Sequence, residues 1–577
     1  MKKKLLPALI VTGLIILVVI IMGITALINK YTPTKKTEDL KEYFNISSDD
    51  EAALIVDNEL SDYKAKIIDK KIYVDYKFVH DSLNSRFYWD ANENVLLYTT
   101  ASDIISAAAD SNSYSVTKQT NDFGYPIVKA TSDSALIALD YVKQYSNITF
   151  KSYDDPARIV ITSKWDEIDS ATVSKSTQVR VKGGIKSPIL KEVKKDDKIT
   201  ILDSGDKWDK IATEDGVIGY IKGKALSESK KTKLTNPDYE EETFTHIKKD
   251  KDICLAWNQV TSQSANSKVP QVISSTKGIN VMSPTWFYLN DNNGNLADIA
   301  SKDYVSYCHS QGIEVWGLFS NLENTDVDAA YVLTHTSTRT TLINQIMSAA
   351  FNYELDGVNI DFENITEAAY GDSYIEFIRE LSIKCHNNGI SLSVDVTVPA
   401  SFNKFFNRSD MAKFADYIVI MGYDEHYKGS DAGSVSSIPW VTEGVESTLK
   451  EVPADQIILG MPFYTRIWEL TPKEDDDAVT DTEDQSKYTV ASQVYSMDAA
   501  AAQLATNNAT AALDEESGQN YAEWSASNKL YKVWLEDSTS LEKRLKLVDD
   551  NKLAGAAFWK LGFENSSVWD TVIKYLN

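Results

Sequence analysis

The C-terminal half of the chain alternates short apolar runs with helical patterns, and no other feature constrains the fold more. The longer segments between the runs include 374–386 and 541–549, which show clear helical periodicity. Strands joined by helices favour a parallel sheet, so eight such units predict an α/β fold, a (β/α)8 or TIM barrel, over residues 251–577. The predicted strands are Ile253–Trp257, Ile279–Pro284, Glu314–Phe319, Asp356–Glu363, Leu392–Val396, Tyr417–Met421, Ile457–Met461 and Gly555–Trp559.

In the fourth of these strands apolar and polar residues alternate, so the polar side chains share one face. These polar residues are Asn359, Asp361 and Glu363. Carboxylates two residues apart on a strand lie roughly 6–7 Å apart at their Cα atoms, close enough for one of them to stay protonated near neutral pH. A protonated carboxyl is what a general acid needs. The alternative is a solvated strand edge, but apolar and helical segments flank the strand on both sides and favour a cavity.

This strand also carries a recognisable motif. Asp356-Gly357-x-Asn359-x-Asp361-x-Glu363 resembles the D-G-x-D-x-D-x-E signature of glycoside hydrolase family 18, the chitinase-like family, with Asn359 where the family usually has Asp. Three later strand ends also resemble the family: Met421-Gly422-Tyr423-Asp424 (M-x-Y-D), Gly460-Met461-Pro462-Phe463-Tyr464 (G-x-P-x-Y) and Trp559. Within the family, the chain looks most like the branch that acts on bacterial cell walls and spore cortex.

The resemblance implies a role for each motif residue. Glu363 would be the general acid and then the base, while the substrate's own N-acetyl carbonyl would be the nucleophile, with net retention. Asp361 would stabilise the positive charge of the resulting oxazolinium ring, and Tyr423 would orient the acetamido group. The implied substrate-binding residues are Asn359, Met421, Asp424, Tyr464, Arg466 and Trp559. Of these, Trp559 would stack under the sugar. No cofactor or metal is implied, and the six histidines show no zinc-hydrolase spacing.

The predicted activity is therefore a glycosidase that cleaves β-linked N-acetylglucosamine glycans. Peptidoglycan is the first candidate substrate, and chitin or chitooligosaccharides are the alternative. A non-catalytic wall-binding lectin of the same fold is a hypothesis of another class, against which the retained Glu363 argues. A wall amidase or endopeptidase would need a metal-ligand or Cys–His pattern that the chain lacks. Because Asn359 removes one like charge beside Asp361, we expect Asp361 to ionise more readily.

Charge and cysteine content exclude other classes. A formal net charge of −25 argues against nucleic acid as a partner, since its recognition needs a basic surface. Cys254, Cys308 and Cys385 are an odd number without paired spacing, so we expect buried thiols and no disulfide framework. Nothing in the sequence indicates the oligomeric state.

The N-terminus predicts a membrane anchor over residues 1–31. Lysines at positions 2–4 precede an uncharged apolar run, Leu5–Ile28, which as a helix would span about 36 Å and cross a bilayer. A cleaved signal peptide would have a shorter apolar core and an Ala-x-Ala-like site. Lysines also follow the run, so orientation rests on the domains beyond it, which predict a single-pass protein of the cell membrane with its catalytic domain on the wall side.

Two small domains are predicted between the anchor and the barrel. Residues 32–167 show strand-like runs, a hairpin near 87–94 and a helix over 134–145, and they resemble the α+β stalk domain of copper amine oxidases and bacterial surface proteins. No metal ligands accompany this segment, so a spacer is expected. Residues 172–228 resemble a bacterial SH3-like domain, in which Trp208 and Tyr220 would either present a platform for wall ligands or pack the small barrel. Residues 229–250 are charged and predict a linker.

Overall fold

The computed structural model describes residues 5–363, 365, 370–473 and 485–576. Contacts divide the chain into two compact units. The first unit contains an N-terminal helix and two sheets, and the second contains the barrel. The first comprises Met1–Trp89, Ala107–Tyr114 and Asp122–Glu241, and the second comprises Asp90–Ser106, Ser115–Asn121 and Glu242–Asn577.

The N-terminal helix runs over Leu5–Tyr31. Its segment Leu9–Tyr31 has a mean hydropathy of 2.9 and is exposed along its whole length. By length and composition this helix is able to cross a membrane, and a signal sequence has the same properties.

The first unit continues with two seven-stranded sheets. In order across the first sheet, the strands are Thr149–Tyr153, Arg158–Thr162, Glu51–Val56, Glu59–Ile68, Lys71–Asp75, Ala135–Ala138 and Val128–Ala130. In the second sheet they are Ile189–Val193, Thr177–Arg180, Ile218–Lys222, Trp208–Thr213, Lys198–Asp203, Glu167–Thr172 and Lys230–Lys233. The accompanying helices are Leu40–Tyr43, Tyr76–Phe78, Leu139–Tyr145, the π-helix Val79–Leu83 and the 3-10 turn Gly223–Ala225.

The two sheets share one hydrophobic core. Ile55 of the first sheet and Val179 and Ile211 of the second are fully buried in the same cluster. Arg158 also joins them, because its guanidinium donates to the carbonyl and the carboxylate of Asp215 at 2.7 and 2.5 Å. The two sheets therefore form one packed body.

Two local predictions in this unit are wrong. The helix predicted over 134–145 begins at Leu139, because Ala135–Ala138 pairs as a strand with Lys71–Asp75 and Val128–Ala130. The predicted linker 229–250 begins with the strand Lys230–Lys233, which pairs with Glu167–Thr172 and extends the second sheet beyond the predicted boundaries. Both errors come from strand pairings between residues distant in sequence, which local patterns do not report.

Trp208 and Tyr220 are both half-buried on the second sheet. Gly183 packs against both, since a Cβ at this position would lie 3.2 Å from Trp208 Cβ and 3.6 Å from Tyr220 Cδ1. Part of each ring therefore serves packing, and the rest remains open to solvent.

The second unit is built on eight parallel strands that close into a barrel, since the first strand pairs with both the second and the eighth. All eight predicted strands are confirmed. The strands are β1 Ile253–Asn258, β2 Val281–Leu289, β3 Glu314–Ser320, β4 Gly357–Asp361, β5 Ser391–Thr397, β6 Tyr417–Met421, β7 Ile457–Pro462 and β8 Gly555–Trp559. Leu296–Asp298 adds a short antiparallel strand beside β2.

Helices surround the strands, and an inserted subdomain follows β7. The helices are Val269–Ile273, Lys302–Ser310, Ala329–Thr334, Thr336–Tyr353, Gly371–His386, Arg408–Phe414, Ile438–Thr448, Ser538–Asn551 and Val568–Tyr575, with 3-10 turns at Gln263–Lys268, Ser401–Phe406 and Ala454–Gln456. The insertion contains the antiparallel strands Tyr464–Pro472, Tyr488–Ser496, Ala512–Asp514, Gln519–Ala526 and Lys529–Leu535, the helix Met497–Thr506 and the 3-10 turn Gln485–Lys487. Cys254, Cys308 and Cys385 are free and buried, as predicted.

Five further strands lie in the segment that is divided between the two units. They are Phe87–Asp90, Val95–Thr99, Ile104–Ala108, Ser113–Val116 and Gln119–Asp122. Residues Asp90–Ser106 belong to the barrel unit. There Asp90 accepts hydrogen bonds from the backbone N–H and the hydroxyl of Thr336, both at 2.6 Å, at the N-terminus of the helix Thr336–Tyr353. A carboxylate at this end also favours the helix dipole.

Candidate active site

The strand β4 places its polar residues inside the barrel. Val358 and Ile360 are fully buried in the core between strands and helices. Asn359 and Asp361 alternate with them and face the barrel interior, where Asn359 is fully buried and Asp361 is 9% exposed. The predicted alternation is thus confirmed, and Glu363 follows at the carboxyl end of the strand.

Asn359 lies beneath the site and is saturated with protein hydrogen bonds. Its Oδ1 accepts from Trp257 Nε1 at 3.0 Å and from Ser283 Oγ at 2.9 Å. Its Nδ2 donates to Ser393 Oγ at 3.0 Å and to Asp395 Oδ1 at 2.6 Å. With all four hydrogen-bonding positions taken, Asn359 supports its neighbours and leaves no group for the direct substrate contact that the sequence suggested.

Asp361 is a buried carboxyl, and no lysine or arginine among the described residues forms an ion pair with it. Burial raises its pKa well above the usual value, and the charges of Asp395, Glu363 and Glu323 raise it further. Its Oδ1 is buried and has no hydrogen-bond partner in the described part of the chain. The expectation that Asp361 would ionise more readily considered position 359 alone. The raised pKa contradicts it, because Asp395 on the neighbouring strand supplies another like charge.

Glu363 lies in a strongly acidic surrounding at the mouth of the barrel. The side chain reaches solvent, but the protein removes part of the water around its carboxyl. This desolvation raises the pKa of Glu363, and the charges of Asp424 and Glu323 add to the effect. A raised pKa favours the protonated carboxyl, which suits a general acid.

Three aromatic residues meet at this end of the barrel. The rings of Trp257 and Trp559 lie 6.0 Å apart, and those of Trp257 and Tyr423 lie 6.4 Å apart, both edge to face. Trp559 ends β8 and is half-buried, and its peptide bond to Lys560 is cis. Burial and the charges of Asp361, Asp395 and Glu363 raise the pKa of Tyr423, so its hydroxyl is a firm donor.

A second group of predicted residues forms one wall. Tyr464 Oη donates to Asp424 Oδ1 at 2.6 Å, and Arg466 Nη2 lies 3.9 Å from the same oxygen. The backbone of Asp424 is in the left-handed region, with φ of 60°, a conformation that Asp tolerates better than most residues. Met421 is buried at the end of β6. The structure thus brings all nine predicted residues to the barrel interior or its carboxyl end.

Sequence reasoning missed four residues here: Trp257, Glu323, Tyr374 and Asp395. Ser393 and Asp395 alternate with apolar residues in β5 as the motif residues do in β4, so the same period-two signal was present. Trp257 also stood near the end of a predicted strand. Tyr374 and Glu323 lie in a helix and a loop without such a pattern.

The comparison with known families agrees with this geometry. Residues 319–564 match the sequence model of glycosyl hydrolases family 18. This segment of the chain is similar to family 18. The match extends from the end of β3 past the end of β8, so the matched segment includes all nine predicted site residues.

Proteins similar to this segment include a glycosylase and two cortex-lytic enzymes. The uncharacterized glycosylase YvbX of Bacillus subtilis is 24% identical over 49% of this chain and 81% of its own length. The cortical fragment-lytic enzyme of the same organism is 25% identical over 48% of this chain and 63% of its own length, less than two thirds. The spore cortex-lytic enzyme SleL of Bacillus cereus superposes with a TM-score of 0.50 at 18% identity, covering 56% of this chain and 74% of that one, which supports the barrel fold.

Proposed function

We propose that this protein is a retaining N-acetylglucosaminidase that cleaves β-linked N-acetylglucosamine glycans, with peptidoglycan as its substrate. The observation that carries the proposal is the cluster of carboxyls at the ends of β4 and β5. Both burial and like charges raise the pKa values of Asp361, Glu363 and Asp395. Groups poised in this way, within a family 18 domain, suit proton transfer to and from a glycosidic bond.

The first half of the reaction protonates the leaving group. Glu363 donates its proton to the glycosidic oxygen, and the bond between that oxygen and C1 of the sugar breaks. The carbonyl oxygen of the substrate's N-acetyl group bonds to C1 on the opposite face and closes an oxazolinium ring. Asp361, in its ionised form, accepts from the acetamido N–H and stabilises the positive charge of this ring.

The second half returns the enzyme to its initial state. The Glu363 carboxylate takes a proton from water, whose oxygen attacks C1 from the face that the leaving group left. The ring opens, the acetamido group is restored and configuration at C1 is retained. Tyr423 donates to the acetamido oxygen, Asp424 and Arg466 bind the same sugar, and Trp559 stacks beneath it.

Purified peptidoglycan and chitohexaose, digested separately and followed by mass spectrometry, test this proposal. We expect glycan fragments that end in a reducing N-acetylglucosamine from peptidoglycan, and no product from a Glu363→Gln variant. Cleavage of chitohexaose alone would make chitooligosaccharides the substrate. Release of stem peptides with intact glycan, or binding without cleavage, would overturn the proposed chemistry in favour of an amidase or a lectin.

We also propose that the helix Leu5–Tyr31 anchors the protein in the cell membrane and leaves the barrel on the wall side. Its apolar, exposed surface supports an anchor, and the cell-wall substrate proposed above supports the orientation. Protease added to intact cells should then destroy a barrel epitope while a cytoplasmic marker survives. An epitope that survives together with the marker would reverse the orientation, and an epitope released into the medium would indicate a cleaved signal.

A further inference from the structure

Asp395 is a second buried carboxyl beside Asp361, and the reaction above gives it no task. In the parallel pairing of β4 with β5, Asn359 lies opposite Ser393 and Ile360 opposite Val394. The next position on each strand is Asp361 and Asp395. Neighbouring strands lie roughly 5 Å apart, and both residues face the barrel interior, where Asp395 is only 2% exposed.

The hydrogen bonds of Asn359 show which atoms face Asp395. The indole N–H of Trp257 is only a donor, so the atom of Asn359 that it contacts at 3.0 Å is the amide oxygen. The amide nitrogen must then point to the other side, where it lies 2.6 Å from Asp395 Oδ1. At that distance the amide N–H of Asn359 donates to Asp395 Oδ1. A donor at this oxygen favours the ionised form of Asp395.

Asp361 Oδ1 has no such donor among the described residues. Its Oδ1 is buried without a hydrogen-bond partner, and so is the hydroxyl of Tyr374 from the helix Gly371–His386, both within the described part of the chain. Burial raises the pKa of Tyr374, and the charges of Asp395 and Asp361 raise it further. Among the described residues, the other titratable groups that interact with Asp361 are Glu363 after β4, Glu323 after β3 and Tyr423 after β6.

These contacts give the two aspartates different tasks. We propose that Asp395 is a positioning residue that shares one proton with Asp361 and receives that proton during the reaction. The shared proton is independent of the proposed function, whereas its transfer during the reaction rests on that function. In the free enzyme Asp361 carries the proton and Asp395 is the charged partner of Asn359. When positive charge develops on the substrate, the O–H bond at Asp361 breaks and an O–H bond forms at Asp395, so the pair keeps one proton throughout.

The pair also accounts for the unusual residue at position 359. Two carboxyls that share a proton ionise in two separated steps. An aspartate at position 359, in contact with Asp395 and next to Asp361 on the strand face, would add a third negative charge to the same buried space. Asparagine avoids that charge and supplies the donor that keeps Asp395 ionised. Asp395 on β5 therefore takes the place of a second carboxyl on β4.

Infrared titration of the carboxylic acid C=O band tests the pair without any substrate. The wild type should show two steps that belong to the pair, one at low pH and one well above the usual range of an aspartate. Asp395→Asn removes the like charge and should leave one intermediate step for Asp361. The charge-exchanged variant Asn359→Asp/Asp395→Asn places the second carboxyl on β4 and should restore two steps. Ser393→Ala is the matched control, because it removes a hydrogen bond to Asn359 but no charge, and should keep both steps.

The pH dependence of kcat tests the transfer itself. In Asp395→Asn, the acidic limb of the kcat profile should move to higher pH by about one unit or more, because Asp361 alone gains its proton more easily than the pair gains its second proton. Each unit is a tenfold loss on that limb. The charge-exchanged variant should move the limb back, and KM should change little in either. Thermal melts of each variant show that it is folded.

Two results would overturn the inference. Two unchanged titration steps in Asp395→Asn would show that Asp395 is not the partner of Asp361. A limb that stays in place while the steps merge would show that the pair exists but that its proton takes no part in the reaction. A wild type without turnover on any β-linked N-acetylglucosamine glycan would instead refute the proposed function and leave the infrared result to decide on the pair.

Discussion

Asp361 and Asp410 are both buried aspartates of the barrel unit, 9% and 4% exposed, and they titrate in opposite directions. Burial raises the pKa of Asp361, and three acidic neighbours raise it further. Burial also works against ionisation of Asp410, but Arg379 and Lys413 more than offset it and hold the pKa below its usual value. Burial is thus common to both residues, and the presence of a cation decides which carboxyl stays charged.

The surroundings of Asp410 and the ends of β4 and β5 differ in the same way, by the presence or absence of cations. Around Asp410, Arg379 also pairs with Glu376 at 3.1 Å, and Arg339 pairs with Glu380 at 2.9 Å. At the ends of β4 and β5, no lysine or arginine forms an ion pair with Asp361, Asp395 or Glu363 within residues 5–363, 365, 370–473 and 485–576. Paired carboxylates hold helices together, whereas unpaired ones remain free to exchange protons.

The largest effect on kcat should come from a change among the carboxyls at the ends of β4 and β5. Glu363→Gln keeps the shape of the side chain but has no proton to donate to the leaving oxygen. We expect kcat to fall by about 10²-fold to 10⁴-fold with a much smaller change in KM. Steady-state kinetics on soluble glycan fragments measures this loss. A variant that keeps more than a tenth of the wild-type kcat would remove Glu363 from the chemical step.

The next effect concerns the stability that the ion pairs around Asp410 contribute. Arg379→Met leaves Asp410 and Glu376 buried without their cation, so the barrel should lose about 3–5 kcal/mol of unfolding free energy. Denaturant unfolding followed by far-ultraviolet circular dichroism measures the loss. Lys413→Met is the matched control, because it removes the exposed partner of the same Asp410 and should cost about 1 kcal/mol or less. Equal costs would contradict the distinction between buried and exposed cations. Below its transition, Arg379→Met should retain the wild-type kcat.

Asp361→Asn should change both kcat and stability. Removing the charge that faces the oxazolinium ring should lower kcat by about 10²-fold. The folded pKa of Asp361 is raised, so the folded state binds more protons than the unfolded state and its contribution to stability falls as pH rises above about 3.9. Asp361→Asn should therefore raise the melting temperature at pH 7 and change it little below pH 4.

Asp410→Asn is the control with the opposite sign. Its folded pKa is lowered, so the wild-type carboxylate contributes stability above its unfolded pKa of about 3.9, which is lost as pH falls through the folded pKa. Asp410→Asn should therefore lower the melting temperature at pH 7 and leave kcat unchanged. Two variants that shift the melting temperature in the same direction would refute the distinction drawn between these aspartates.

The smallest effect should come from the wall of the site. Tyr464→Phe removes the hydrogen bond to Asp424, a residue whose side chain is 49% exposed and can be solvated by water instead. We expect kcat/KM to fall less than about tenfold, which is about 1 kcal/mol or less. A loss as large as that of Glu363→Gln would place Tyr464 in the chemical step.

The sequence predicted the barrel well because each strand has a recognisable local sequence pattern. Runs such as Tyr417–Met421 and Gly555–Trp559 are short, apolar and bounded by turn residues, and their observed limits match those predicted. The motif residues were found for the same reason, since Asn359, Asp361 and Glu363 lie on one strand. Local patterns failed where a residue's neighbours come from elsewhere in the chain. The pKa of Asp361 depends on Asp395, and the edge of the second sheet depends on Lys230–Lys233.

One measurement tests most directly whether unpaired carboxyls act here together with the substrate's own acetamido group. Glycan strands purified from peptidoglycan are compared with the same strands after chemical N-deacetylation, and cleavage is followed by mass spectrometry, with Glu363→Gln as the blank. We expect cleavage of the acetylated strands and none beyond the blank where the acetyl group of the cleaved sugar is missing. Cleavage of both at comparable rates would contradict it and would require a side-chain nucleophile in place of the acetamido oxygen.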